Sequence, residues 1–138
     1  MKHLFAFTLT TFILFGTAAA QNPTSVQAAY EARTPSWWTN LPTNLSDDLH
    51  AADQGTQAVA LQNVTYFATH HGERVDLRLA VPKLLDIARF ASEPAHRTMA
   101  LIALNEIGTP YALEQVAELM RFERHPIAQV VGRGIASR

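Results

Sequence analysis

An apolar stretch running into Arg-Phe and then, after a short gap, proline occurs twice: RFASEP from Arg89 to Pro94 and RFERHP from Arg121 to Pro126, 32 positions apart. A fixed period in the range of about 20–50 residues is the mark of one supersecondary unit stacked on its own copies. Laying Val81–Glu106 over Leu113–Arg138 aligns Leu84 with Val116, Ile87 with Leu119, Asp86 with Glu118, Arg89 with Arg121, Phe90 with Phe122 and Pro94 with Pro126. Each proline is placed to open the second helix of a hairpin, where its missing N–H leaves no bond unmade. Each Phe is expected in the last turn of the first helix, packing across the hairpin corner. A hairpin cannot bury its apolar side alone, so it stacks on the next.

The spacing of apolar residues predicts helices for the whole segment from about Thr56 onward. Leu61, Val64, Phe67 and Ala68 form the stripe of a first helix, closed by His70-His71-Gly72. A second runs from about Leu79 to Phe90, with Val81, Leu84, Leu85 and Ala88 on one side and Lys83, Asp86 and Arg89 on another. A third spans Pro94 to Ile107 and stops at Gly108. It is apolar around so much of its circumference (Ala95, Met99, Ala100, Leu101, Ile102, Ala103, Leu104, Ile107) that it is expected at the centre. A fourth starts at Pro110, with Thr109 as N-cap, and continues to Phe122; a fifth starts at Pro126.

Two stretches carry a family resemblance. EPAHR, Glu93 to Arg97, resembles the D-P-x-x-R signature of HEAT repeats, and ALNEIGTPYAL, Ala103 to Leu113, resembles their A-L-x-x-I-G-D-P-x-A-L link. The type it is most similar to is the short repeat first named from phycobilisome lyases. The resemblance covers about Val75 to Arg138 and implies an all-α fold, an α-solenoid of about two and a half HEAT-like hairpins, in a family whose members mostly bind proteins. It also implies that the acidic residue and arginine of each signature join neighbouring repeats. The second copy reads HPIAQ, with His125 and Gln129 at those places, which implies that the joint ends there.

Residues 1–20, MKHLFAFTLTTFILFGTAAA, have the form of a secretion signal: Lys2 and His3 as a basic head, an apolar run from Leu4 to Phe15, and Ala18 and Ala20 as an A-x-A cleavage site. The run is about 12 residues, against about 20 for a helix that spans a bilayer, so stable membrane insertion after cleavage is not expected. The mature chain is expected to be secreted or periplasmic. Residues 21–52 read as a Pro/Thr/Asn-rich tether holding Trp37-Trp38, with a short helix from Ser25 to Arg33 and with Pro35 and Pro42 interrupting anything longer. The two tryptophans suit either a docking element or a segment folded back onto its own domain. The repeat domain is expected over 53–138. The sequence has no cysteine, so packing rather than disulfides must hold it together. Without Lys2, ten Lys and Arg face twelve Asp and Glu, and the basic residues are scattered; no nucleic-acid partner is indicated.

Candidate chemistry is sparse. His70, His71, Glu73 and Asp76 crowd one turn, and imidazole plus carboxylate suits zinc or a related ion. Adjacent helical histidines, however, point about 100° apart. There is no G-x-S-x-G and no phosphate-binding glycine loop. The sequence therefore favours no catalysis and no cofactor, a small metal- or ligand-dependent enzyme built on that turn being the alternative. The leading expectation is interaction with another protein or with itself through the fifth helix. In PIAQVVGRGIASR only Gln129, Arg133 and Ser137 make a polar stripe, which leaves Ile127, Val130, Val131, Gly132, Gly134 and Ile135 as contact residues. Gly132 and Gly134 each weaken a helix by about 1 kcal/mol relative to alanine, a loss that close approach of another backbone would explain. No polar capping repeat follows in the sequence, and solenoids normally need one.

Overall fold

The computed structural model describes residues 28–136, and these fall into two units divided between Arg33 and Thr34. Of the first unit, residues 28–31 are helical. The expected signal sequence, its cleavage site and Ser137 lie outside the described residues. Among the described residues there is no strand: the fold is all-α.

The second unit comprises α1 (Pro35–Leu49), α2 (Gln54–His71), a 3₁₀ turn (Leu77–Ala80) leading into α3 (Val81–Phe90), α4 (Pro94–Ile107), α5 (Pro110–Leu119) and α6 (Pro126–Ala136). The starts follow from capping chemistry. The side chains of Thr34, Asp53 and Thr109 accept from the backbone N–H of Trp37, Thr56 and Ala112, and prolines occupy the first turns of α1, α3, α4 and α5. Helix α4 ends on Gly108, whose φ of 64° is the only positive value among the described residues. Glycine meets that requirement without the Cβ penalty other residues incur.

Helix α1 corrects the tether expected through residue 52. Pro42 sits inside a 15-residue helix that belongs to the packed unit. Its stripe of Trp38, Leu41, Leu45 and Leu49 is buried against α2. Burial of four such side chains at about 1.5–3 kcal/mol each exceeds the roughly 3 kcal/mol penalty of an interior proline. The end of α1 is fixed by Gln57, whose Nε2 donates to the Leu49 carbonyl at 3.0 Å.

The helices lie in two rows. Helices α2, α4 and α6 pack in succession, α4 touching both others, while α3 packs on α5 and more lightly on α1. Sequential pairs α1–α2, α3–α4 and α5–α6 join the rows. Helix α4 is central, as its wide apolar circumference predicts, and Ala100, Leu101, Ala103 and Leu104 have no exposed surface. His96 is buried beside them, a polar core residue that periodicity does not reveal.

Candidate functional site

The contact residues expected on α6 divide between two faces. Ala128, Gly132 and Ile135 point inward and are buried; Val131 is half-buried. Ile127 and Val130 are 61% and 74% exposed, and Gly134 faces open space. Gly132 is therefore not the approach point for a foreign backbone. A Cβ there would enter the Met120 side chain, coming within 2.8 Å of its Cγ and Cε, so the close neighbour is the chain itself. The outward surface reduces to Ile127, Val130 and Gly134, with Val131 at its edge.

The two phenylalanines of the repeat do not pack across the hairpin corners. Phe90 is 78% exposed and Phe122 is 75% exposed. For Phe90 helical phase explains this: the last inward residue before it is Ala88, two positions earlier, and two positions turn about 200° around a helix, onto its opposite side. Helix α5 stops at Leu119, which leaves Phe122 on the turn beyond it rather than in a last helical turn.

Both phenylalanines line one groove of about 670 Å³, together with Ala88, Leu119, Pro126, Arg89, Arg97, Arg124 and His125. One carboxylate, Glu123, also lines it. That side chain is only 7% exposed; its Oε1 lies 3.6 Å from Arg97 Nη1 and accepts from the His125 backbone N–H at 2.7 Å. The Gln129 side chain donates to the Glu123 carbonyl. Arg97 thus ties the start of α4 to the α5–α6 turn, and Gln129, its counterpart in the second copy, binds that same turn. Arg89 donates from Nη2 to the neutral Gln115 Oε1 at 3.0 Å. Arg124 has no ion pair among the described residues. His125 Nδ1 and Arg97 Nε are buried without a hydrogen-bond partner there. The groove is therefore lined by two exposed phenylalanines and by two arginines, Arg89 and Arg124, that pair with no carboxylate among the described residues.

The His70–Asp76 turn disperses rather than converges. His71 turns inward, its ring 5.1 Å from that of Trp38 and 5.8 Å from Phe67. His70 lies on the outside of α2 against Tyr66, at 4.7 Å, beside a shallow groove shared with Met99 and Ile102. Glu73 and Asp76 line a different depression with Arg74, Arg78 and Glu106. Asp76 is engaged by Arg78, whose Nε donates at 2.8 Å and whose backbone N–H donates at 3.1 Å. These bonds hold the Asp76 carboxyl down at about 2. No group of three or more metal-ligating side chains occurs among the described residues.

Trp38 is folded back onto its own domain. It is buried against Phe67, at 6.2 Å and nearly perpendicular, with the Arg74 guanidinium 4.0 Å above its ring. Trp37 stacks edge-on against Trp38 and is half-buried. No helix among the described residues is long and apolar enough to cross a membrane. Searches of family models, of curated proteins and of solved structures found nothing that matches this chain.

Proposed function

We propose that this chain is an exported module of HEAT-like helical hairpins that binds another protein or itself and performs no catalysis. The observation that carries the reading is the outer face of α6, where Ile127 and Val130 stand in solvent and no described element covers them. Scattered apolar residues are ordinary on a protein surface; two at a spacing of three on one helix face, beside an open glycine, form a strip onto which a second helix can pack. The repeat reading is supported by the two helix rows, by the 32-residue period and by the Arg97–Glu123 pair between successive hairpins. Export rests on the basic head and apolar run of residues 1–20.

The test is Val130→Glu, since Val130 is the more outward of the two adjacent valines. Self-association is followed by sedimentation velocity over a range of concentrations, and partner capture is performed from the native host. The variant is expected to lose both while keeping its helicity and melting temperature. A variant that keeps every association of the unmodified protein shows that α6 is not the contact surface. An unmodified protein that stays monomeric and captures nothing refutes the interaction reading altogether.

A further inference from the structure

We infer that the groove between the two Phe-bearing corners receives an acidic peptide segment with interspersed apolar side chains, the apolar groups seated between Phe90 and Phe122 and the carboxylates on Arg89 and Arg124. This rests on the interaction reading and adds to it a second surface and a partner chemistry.

Three properties of the groove point there. First, both rings are more than seven-tenths exposed and line the same trough, so an apolar group entering it gains contact with two aromatic faces at once. Large aromatic and arginine side chains are the types that dominate interface energetics. Second, the charges are one-signed where a ligand would meet them. Glu123 is 7% exposed and held between Arg97 and the His125 N–H, whereas Arg89 is bound only by a neutral amide and Arg124 by no carboxylate. Guanidinium groups take a carboxylate through two parallel hydrogen bonds, a geometry that fits Asp or Glu on a partner. Third, about 670 Å³ lies in the range of roughly 300–1,000 Å³ typical of ligand clefts, enough for a few side chains of a peptide and not for a folded domain.

A nucleic acid would also use arginines and aromatic rings, but it needs a cationic track along its backbone. Here the groove offers two uncompensated arginines on a chain whose formal net charge is −1. The rest of the lining is Ala88, Phe90, Leu119, Phe122 and Pro126 with His125 and the mutually paired Arg97 and Glu123. A peptide carrying a few carboxylates matches that supply; a polyanion does not.

The experiment uses the purified mature protein and three fluorescein-labelled peptides, alternating Leu with Glu, with Gln or with Lys, read by fluorescence anisotropy. The Glu peptide is expected to bind and the Lys peptide not to. Arg124→Glu should weaken Glu-peptide binding about tenfold, as should raising the salt to 1 M, where the screening length falls to about 3 Å. Phe122→Ser should weaken it comparably. Both substitutions are at exposed positions, and unchanged melting temperatures separate lost affinity from lost fold. Equal binding of the Gln peptide, or indifference to Arg124→Glu, overturns the inference, as does displacement of the peptide by an equimolar single-stranded oligonucleotide. If no peptide binds while the protein still self-associates or captures partners through α6, this inference falls alone. If neither occurs, the interaction reading falls with it.

Discussion

Gly132 and Gly134 lie two residues apart on α6, yet the same substitution at each is expected to have opposite signs. Replacing a helical glycine with alanine, where nothing obstructs the new methyl, removes backbone freedom from the unfolded chain and stabilises by about 0.5–1 kcal/mol. Gly134 meets that condition, because a Cβ there has nothing within 4 Å. At Gly132 the methyl would overlap Met120, whose Cγ and Cε lie 2.8 Å from the Cβ position, and Met120 is itself nine-tenths buried. Overpacking of this kind costs roughly 1–3 kcal/mol, which exceeds the helix gain. Gly132→Ala should therefore lower the urea midpoint and Gly134→Ala should raise it. The cause is checked by a double-mutant cycle: with Met120→Ala as background, the obstruction is gone and Gly132→Ala should become stabilising by about 0.5–1 kcal/mol. The helix gain is common to both backgrounds and cancels, so the coupling between positions 120 and 132 is the overpacking cost itself, roughly 1–3 kcal/mol. If Gly132→Ala stabilises the unmodified protein, or remains harmful once Met120 is truncated, the contact between α6 and the α5–α6 turn is not as described.

Leu104, fully buried on the central helix, should lose about 2–5 kcal/mol of stability as Leu104→Ala, and a chemical-denaturation midpoint that does not move would contradict the placement of α4 between α2 and α6. Asp76, with its carboxyl held down at about 2 by Arg78, contributes stability that is fully present above its unfolded value of about 3.9 and is lost as pH falls through about 2. Because this pair is exposed, the effect should be small and reduced by salt; carboxyl-carbon NMR should give Asp76 a depressed midpoint that returns toward the ordinary value in Arg78→Gln.

Helix limits were most legible where punctuation and periodicity agree. Pro94 and Gly108 bracket α4 in the sequence as they do in the structure, because a missing N–H and a left-handed φ are local demands that only those residue types meet well. Helix α1 was hidden by giving Pro42 the weight of a breaker. Its signature was present in Thr34-Pro35, a cap followed by a first-turn proline, and in Trp38, Leu41, Leu45 and Leu49 at spacings of three and four. The penalty of one proline is local, whereas the compensating burial depends on α2 being near, which no short window reveals. The outward placement of Phe90 and Phe122 has a related cause: the phase of α3 runs on from the buried Ala88 to put Phe90 on the opposite side, and α5 ends at Leu119, short of Phe122. The groove itself joins residues 88–97 to 119–126, and only the stacking of hairpins brings those segments together. The dispersal of His70, His71 and Asp76 was half legible, since adjacent histidines diverge on any helix; that His71 goes inward to Trp38 depends on the helix that was not foreseen.

Both tryptophans of the chain lie side by side on α1, the first helix of the packed unit, and Trp38 is lodged among Phe67, His71 and Arg74. The protein thus carries both of its tryptophan reporters on α1. Intrinsic fluorescence registers whether α1 is seated on α2, while far-ultraviolet circular dichroism registers every helix together. Helix α1 packs on α2 and on the 3₁₀ turn, and more lightly on α3, and a peripheral helix can open locally while the rest persists. Agreement or disagreement between these two signals during unfolding therefore measures how strongly α1 is bound to the rest of the packed unit.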